Sequence, residues 1–143
     1  MFDPHANPPV LTVCATCTDT TEAGEAGIGG GQRLGERLRR LLAEHPVAGQ
    51  VQLRQTRCLM ACTQGCAATL AQSGKMQYLL GRLPADEASA RELLDFADQY
   101  TDSSTGVVPN HLWPGTLALR FLGRIPPPVP DPDADWRDDG CTL

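Results

Sequence analysis

Six cysteines carry the chemistry that can be read from this chain, and their spacing groups them. Cys58, Cys62 and Cys66 recur every four residues in Arg57-Cys-Leu-Met-Ala-Cys-Thr-Gln-Gly-Cys66, and Cys14 and Cys17 form a second pair far upstream. Two close pairs separated by a helix-sized interval are what a four-thiolate metal or iron–sulfur site requires. Each pair chelates locally, and folding brings the pairs together. Structural zinc favours a tight CxxC knuckle in both pairs, whereas the second group here is CxxxC, which points toward iron–sulfur.

Cys66 has three readings: a small apolar packing residue, an alternative ligand, or a redox-active thiol. Cys141 lies in an acidic tail and is expected to be a thiol without a role. The pair Cys14-Ala-Thr-Cys17 also admits a thioredoxin-type dithiol, but that chemistry needs a helix starting at the second cysteine. Here a polar and then glycine-rich stretch, Thr18 to Gly31, follows instead and is expected to form a flexible loop.

The elements that must hold these cysteines follow from apolar periodicity. Val10-Leu-Thr-Val13 reads as a buried strand ending on Cys14, and Val51 to Thr56 alternates as a half-buried strand leading to Cys58. From Arg33 the pattern is helical, with Leu34, Leu38, Leu41 and Leu42 on one face, Arg37, Arg40 and Glu44 toward water, and Pro46 beyond the end. Residues 67–71 and 76–80 flank Ser73-Gly74-Lys75 as a hairpin. A second helix opens at Pro84-Ala-Asp-Glu87, with acids in its first turn and Ala90, Leu93, Leu94, Ala97 and Tyr100 as its buried stripe. The order implies an α/β fold, a mixed four-stranded sheet with both helices packed on it. If the two strands that end near cysteines are parallel neighbours, both cysteine groups emerge at one sheet edge.

The chain divides into a flexible arm (residues 1–8), a cluster-binding domain (9–102), an extension packed on it (103–125) and an acidic Pro/Asp tail (126–143). Trp113, Leu117, Leu119 and Phe121 are the expected anchors of the extension. Net charge is −5, and the tail's five aspartates and one arginine carry −4 of it, so neither nucleic acid nor an anionic membrane is an expected partner. No signal peptide or membrane-spanning run is visible, so the expected compartment is the reducing cytoplasm, where clustered cysteines mean metal or redox chemistry.

Other features read as structural. The run Gly27 to Gly31 lacks the Lys-Ser/Thr of a phosphate loop, and Gln32 stands where a dinucleotide fingerprint needs its third glycine. His45 is expected to cap a helix C-terminus, and His5 and His111 have no ligand spacing. Arg54 and Arg57 are placed to steer an acidic redox partner, or are solvated strand-edge charges. No catalytic constellation is found, so the protein is not expected to be an enzyme.

The strand ending in Cys14, the strand 51–56, Cys58-xxx-Cys62, and Gly65, Gly74-Lys-Met-Gln-Tyr78 and the following helix resemble the thioredoxin-like 2Fe–2S ferredoxins and the related subunit of respiratory complex I. The resemblance covers roughly residues 9–100. It implies a thioredoxin-like fold, a 2Fe–2S cluster on Cys14, Cys17, Cys58 and Cys62, and electron transfer to a redox protein, with homodimerisation left open. Two positions depart from the pattern: the Cys14–Cys17 spacing is shorter than usual, and Cys66 stands where a proline often follows the glycine. The chain also resembles, from its cysteine set through Pro109 to Pro127, a family of uncharacterised bacterial proteins described as predicted metal-binding. Its members are often associated with cobalamin biosynthesis, which implies electron delivery or cobalt handling. The alternatives to an electron carrier are a zinc- or cobalt-binding protein without redox role and a dithiol oxidoreductase.

Overall fold

The computed structural model describes residues 7–16, 29–61 and 64–127. Strand β1 (Val10–Cys14) alternates, with Leu11 and Val13 buried and Val10 and Thr12 half-buried. Helix α1 (Gly30–Leu42) carries the chain to β2 (Gln52–Thr56), which pairs parallel with β1 from Val10↔Gln52 to Cys14↔Thr56. On its other side β1 pairs antiparallel with β3 (Ala68–Ala71), and β3 forms the expected hairpin with β4 (Gln77–Leu80). Helix α2 (Glu87–Asp102) follows, and β5 (Phe121–Ile125) pairs antiparallel with β4. The sheet order is β2-β1-β3-β4-β5.

Both helices pack against the buried rows of the sheet and against each other. Leu34, Leu38 and Leu41 of α1 join Ala90, Leu93, Leu94 and Ala97 of α2 over Leu11, Val13, Leu70, Tyr78 and Leu80 in one core. His45, expected as a cap, is a tie between the helices. Its Nδ1 accepts the Val47 amide at 3.1 Å, so in the neutral ring the proton sits on Nε2, 2.8 Å from Asp95 Oδ1 of α2. Arg37, expected in water, donates from Nε to the Ala85 carbonyl at 3.0 Å.

The sheet has five strands rather than the expected four. The fifth comes from the extension, where Gly123 and Arg124 break the apolar alternation that marks a strand and Pro126 and Pro127 follow at once. Leu117 is fully buried and the Trp113 ring lies 4.4 Å from that of Phe121, but the expected anchor Leu119 is 76% exposed. These residues form a 3-10 turn, Leu117–Arg120, whose threefold repeat sends Leu117 inward and Leu119 out.

Helix α1 also starts three residues earlier than its apolar period indicates. Gly30 and Gly31, expected in the flexible loop, form its first turn, after Gly29 turns the chain with φ 53°. A side chain at Gly31 would run into the Cys14 carbonyl, so the glycine serves close approach of helix to strand. At α2, Asp86 is the N-cap rather than a first-turn acid, and its Oδ1 accepts the Ser89 amide at 2.8 Å. Among the described residues no helix is long and apolar enough to cross a membrane.

Candidate metal centre at the ends of two parallel strands

Parallel neighbours end at the same edge of a sheet, so β1 and β2 deliver their following loops side by side. Cys14, the last residue of β1, is fully buried, and its amide donates to the Ala67 carbonyl at 3.0 Å. One residue on, the Ala15 amide donates to Thr56 at 2.8 Å. The Cys14 Sγ lies 3.9 Å from the Arg57 carbonyl oxygen and 3.8 Å from Thr16 Oγ1, and that hydroxyl donates to the same carbonyl at 2.5 Å. The turn after β1 is therefore laced to the residue directly before Cys58.

Cys58 is exposed. The chain turns at Met60, which adopts φ 57°, and its amide donates to Cys58 Sγ at 3.2 Å. An N–H aimed at sulfur is the kind of contact that cysteine ligands of metal and iron–sulfur groups accept.

Further along, Gln64 is held twice by Arg82: the Arg82 amide donates to its carbonyl at 2.6 Å and Nε to Oε1 at 2.7 Å. Arg82 reaches both acceptors from a left-handed backbone, φ 53°. The Leu83 amide donates to the Cys66 carbonyl at 3.1 Å, after a cis Gly65–Cys66 peptide. Cys66 itself is buried in the core beside Ala67 and Ala68.

Of the residues singled out from the sequence, Cys14 and Cys58 are thus brought to one edge, and Cys17, Cys62 and Cys141 lie outside the described residues. Among the described residues no three His, Cys, Asp or Glu side chains group as a metal site. The donor chemistry fits a thiolate-held group: Cys14 and Cys58 lie at the ends of adjacent parallel strands, and the Cys58 sulfur accepts an amide. Sequence reasoning missed Thr16, the Met60 amide and Arg82, whose partners are distant or backbone atoms brought close by chain direction, which residue type does not encode. Gly31 alone left a signal, a glycine just before an apolar helical period.

Arg57 belongs to this edge. Arg54 instead lines a cavity of about 510 Å³ with Asn7, Thr12, Gln72 and Gln77. The groups whose titration the fold shifts lie away from the cysteines. Burial pushes Tyr100 up, and burial lowers Lys75 against the opposing pull of Asp102. Lys75 Nζ donates to the Tyr100 carbonyl at 3.2 Å, in the turn between β3 and β4, at the end of the sheet where β1 begins.

The fold is similar to that of a solved thioredoxin-like [2Fe-2S] ferredoxin from Aquifex aeolicus. The TM-score is 0.51 and identity is 13%, over 85% of this chain and 97% of that one. The architecture is thus the expected thioredoxin-like α/β class. No curated protein matches the sequence. A family model described as protein of unknown function (DUF1636) matches residues 11–127, from the first strand through the cysteines, both helices and β5. The chain belongs to that family.

Proposed function

We propose that the protein is a one-electron carrier holding a 2Fe–2S cluster on Cys14, Cys17, Cys58 and Cys62. The observation that carries this reading is the lacing of Cys14 to Arg57, which sets two thiols at the common end of parallel strands. The fold likeness to a thioredoxin-like [2Fe-2S] ferredoxin supports it. When bound, such a cluster supplies a reversible one-electron couple. The chain's own residues do the rest. Cys14 ligates from the buried side and Cys58 from the exposed side, where a partner approaches. The Met60 amide holds charge on the Cys58 sulfur, which raises the potential by favouring the more negative reduced state. The partner is a redox protein met in the cytoplasm; a cobalamin-related role rests on family resemblance alone.

Protein purified without oxygen should show a visible band bleached by dithionite, with iron and sulfide in a two-to-two ratio per chain. Cys14→Ser and Cys58→Ser should lose the band, and Cys141→Ser should keep it. Stoichiometric zinc or cobalt without sulfide would reassign the same thiolates to metal binding. A full cluster in both Cys14→Ser and Cys58→Ser would refute the ligand set. The rival reading is a dithiol oxidoreductase. It requires disulfide exchange that is independent of metal content.

A further inference from the structure

The end of the sheet that bears the cysteines also bears exposed apolar side chains. Met60 is 89% exposed beside Cys58, and Leu119 and Leu122 are exposed on the extension. These are linked through the loop. The Gln64 amide donates to Ala61 at 2.8 Å, next to Met60. Gln64 and Leu122 converge on Gly81, where a Cβ would meet Leu122 Cδ1 at 2.6 Å and the Gln64 carbonyl at 2.8 Å. The Gly81 amide donates to the Arg120 carbonyl at 2.8 Å, in the turn that projects Leu119.

Among the described residues, the segments 57–61, 64–66, 79–83 and 117–125 carry arginines at 57, 82, 120 and 124 and no carboxylate, in a chain whose net charge is −5. The nearest carboxylate bonded to the extension, Glu92, is engaged by Thr116, ahead of this stretch. Arg57 and Arg82 are exposed, and Arg82 is oriented by its bond to Gln64. Methionine and arginine are enriched in protein interfaces, and lysine and carboxylates are depleted.

We infer that this surface, centred on Met60 and Leu122 and rimmed by Arg57, Arg82 and Arg120, docks the acidic face of a partner protein beside Cys58. The proposal builds on the electron-carrier reading, because it names the surface through which that partner is met. Opposite charge steers the encounter, and the apolar centre sets the lifetime of the complex. Single-stranded nucleic acid fits less well, because it needs aromatic platforms, and the aromatic rings nearby, Trp113 and Phe121, are packed against one another.

The test uses the full chain as purified, with flavodoxin as an acidic probe protein and cytochrome c as a basic one, followed by amide NMR shifts and binding isotherms. Flavodoxin should bind, shift the amides of Met60, Arg82 and Leu122, and weaken as salt rises. Arg82→Glu, and Met60→Asn, which tolerates the left-handed backbone and keeps the amide, should each weaken it roughly tenfold. Arg39→Glu, the same charge change on an exposed position of α1, should leave it nearly unchanged. The inference is overturned by no flavodoxin binding, by shifts mapping elsewhere, or by equal loss in Arg39→Glu. It is equally overturned if cytochrome c, a single-stranded oligonucleotide or a second copy of the chain takes this surface in preference. Iron and sulfide content reads the cofactor separately, so a metal-free chain that still binds flavodoxin here would sink the carrier reading and spare the docking surface.

Discussion

The two halves of the sheet are built by different means. Around β4, β5 and α2 the chain is locked by rings: Tyr78 lies 5.0 Å from Phe96, 6.1 Å from Tyr100 and 5.4 Å from Phe121, and Phe121 also touches Phe96 and Trp113. Both buried tyrosine hydroxyls are satisfied, Tyr100 donating to the Met76 carbonyl at 2.7 Å and Tyr78 accepting the Val108 amide at 3.1 Å. Around β1 and β2 there are aliphatic side chains, a glycine contact and a mesh of backbone bonds that turn toward sulfur. Aromatic packing gives stability without leaving groups available for chemistry, whereas the other half brings Cys58 to the surface next to the buried Cys14 turn. One half holds the fold and the other presents the candidate site.

That division can be broken by substitutions on either side. Phe96→Ala, in the aromatic half, should cost about 3–5 kcal/mol in denaturant unfolding, while the remaining folded protein should keep the proposed cluster. A cost below about 1 kcal/mol, or a bleached cofactor in a fully folded variant, would mean that the halves are not separable. Gly31→Ala should reverse the pattern. The added methyl meets the Cys14 carbonyl, so we expect a loss of about 1–3 kcal/mol with a fall in bound iron larger than the fall in folded fraction. Asp86→Ala removes the α2 cap and should cost about 1 kcal/mol, with no effect on iron content.

Tyr100→Phe removes the hydroxyl that satisfies the Met76 carbonyl and becomes most informative in alkali. Burial raises the Tyr100 pKa, so the folded chain keeps a proton that the unfolded chain releases above 10.0. The stability Tyr100 contributes is therefore complete below pH 10.0 and is lost as pH climbs from there toward its folded value. Lys75 has the opposite sign. Its lowered pKa makes the unfolded chain the better proton binder below 10.5, so stability rises with pH in that window. Denaturation midpoints against pH should fall steeply above pH 10.0 in the parent and more shallowly in Tyr100→Phe. Parallel curves would show that Tyr100 does not govern the alkaline limb.

Periodicity made the aliphatic and hairpin elements legible, because Leu34, Leu38 and Leu41 repeat at helical spacing and Leu11 and Val13 at strand spacing. It failed where packing is not periodic. β5 carries Gly123 and Arg124 in five residues, and its pairing is set by the edge of β4 rather than by its own pattern. Leu119 misled because a 3-10 turn repeats every three residues, not every 3.6. At the candidate site, spacing singled out Cys14 and Cys58, and the parallel pairing of β1 with β2 puts them at the same end of the sheet. The Arg82 clamp on Gln64 joins positions 18 residues apart through a backbone turn that no local pattern signals.

The place of β1 and β2 in the sheet gives the candidate centre unequal mechanics. Among the described residues, β1 is bonded on both sides and sits under α1, whereas β2 is an edge strand with one neighbour. A bound ion would therefore rest between a fixed jaw, Cys14, and a yielding one, Cys58. Ligand exchange, chelator attack and oxidation would then begin at the yielding jaw, on the β2 side.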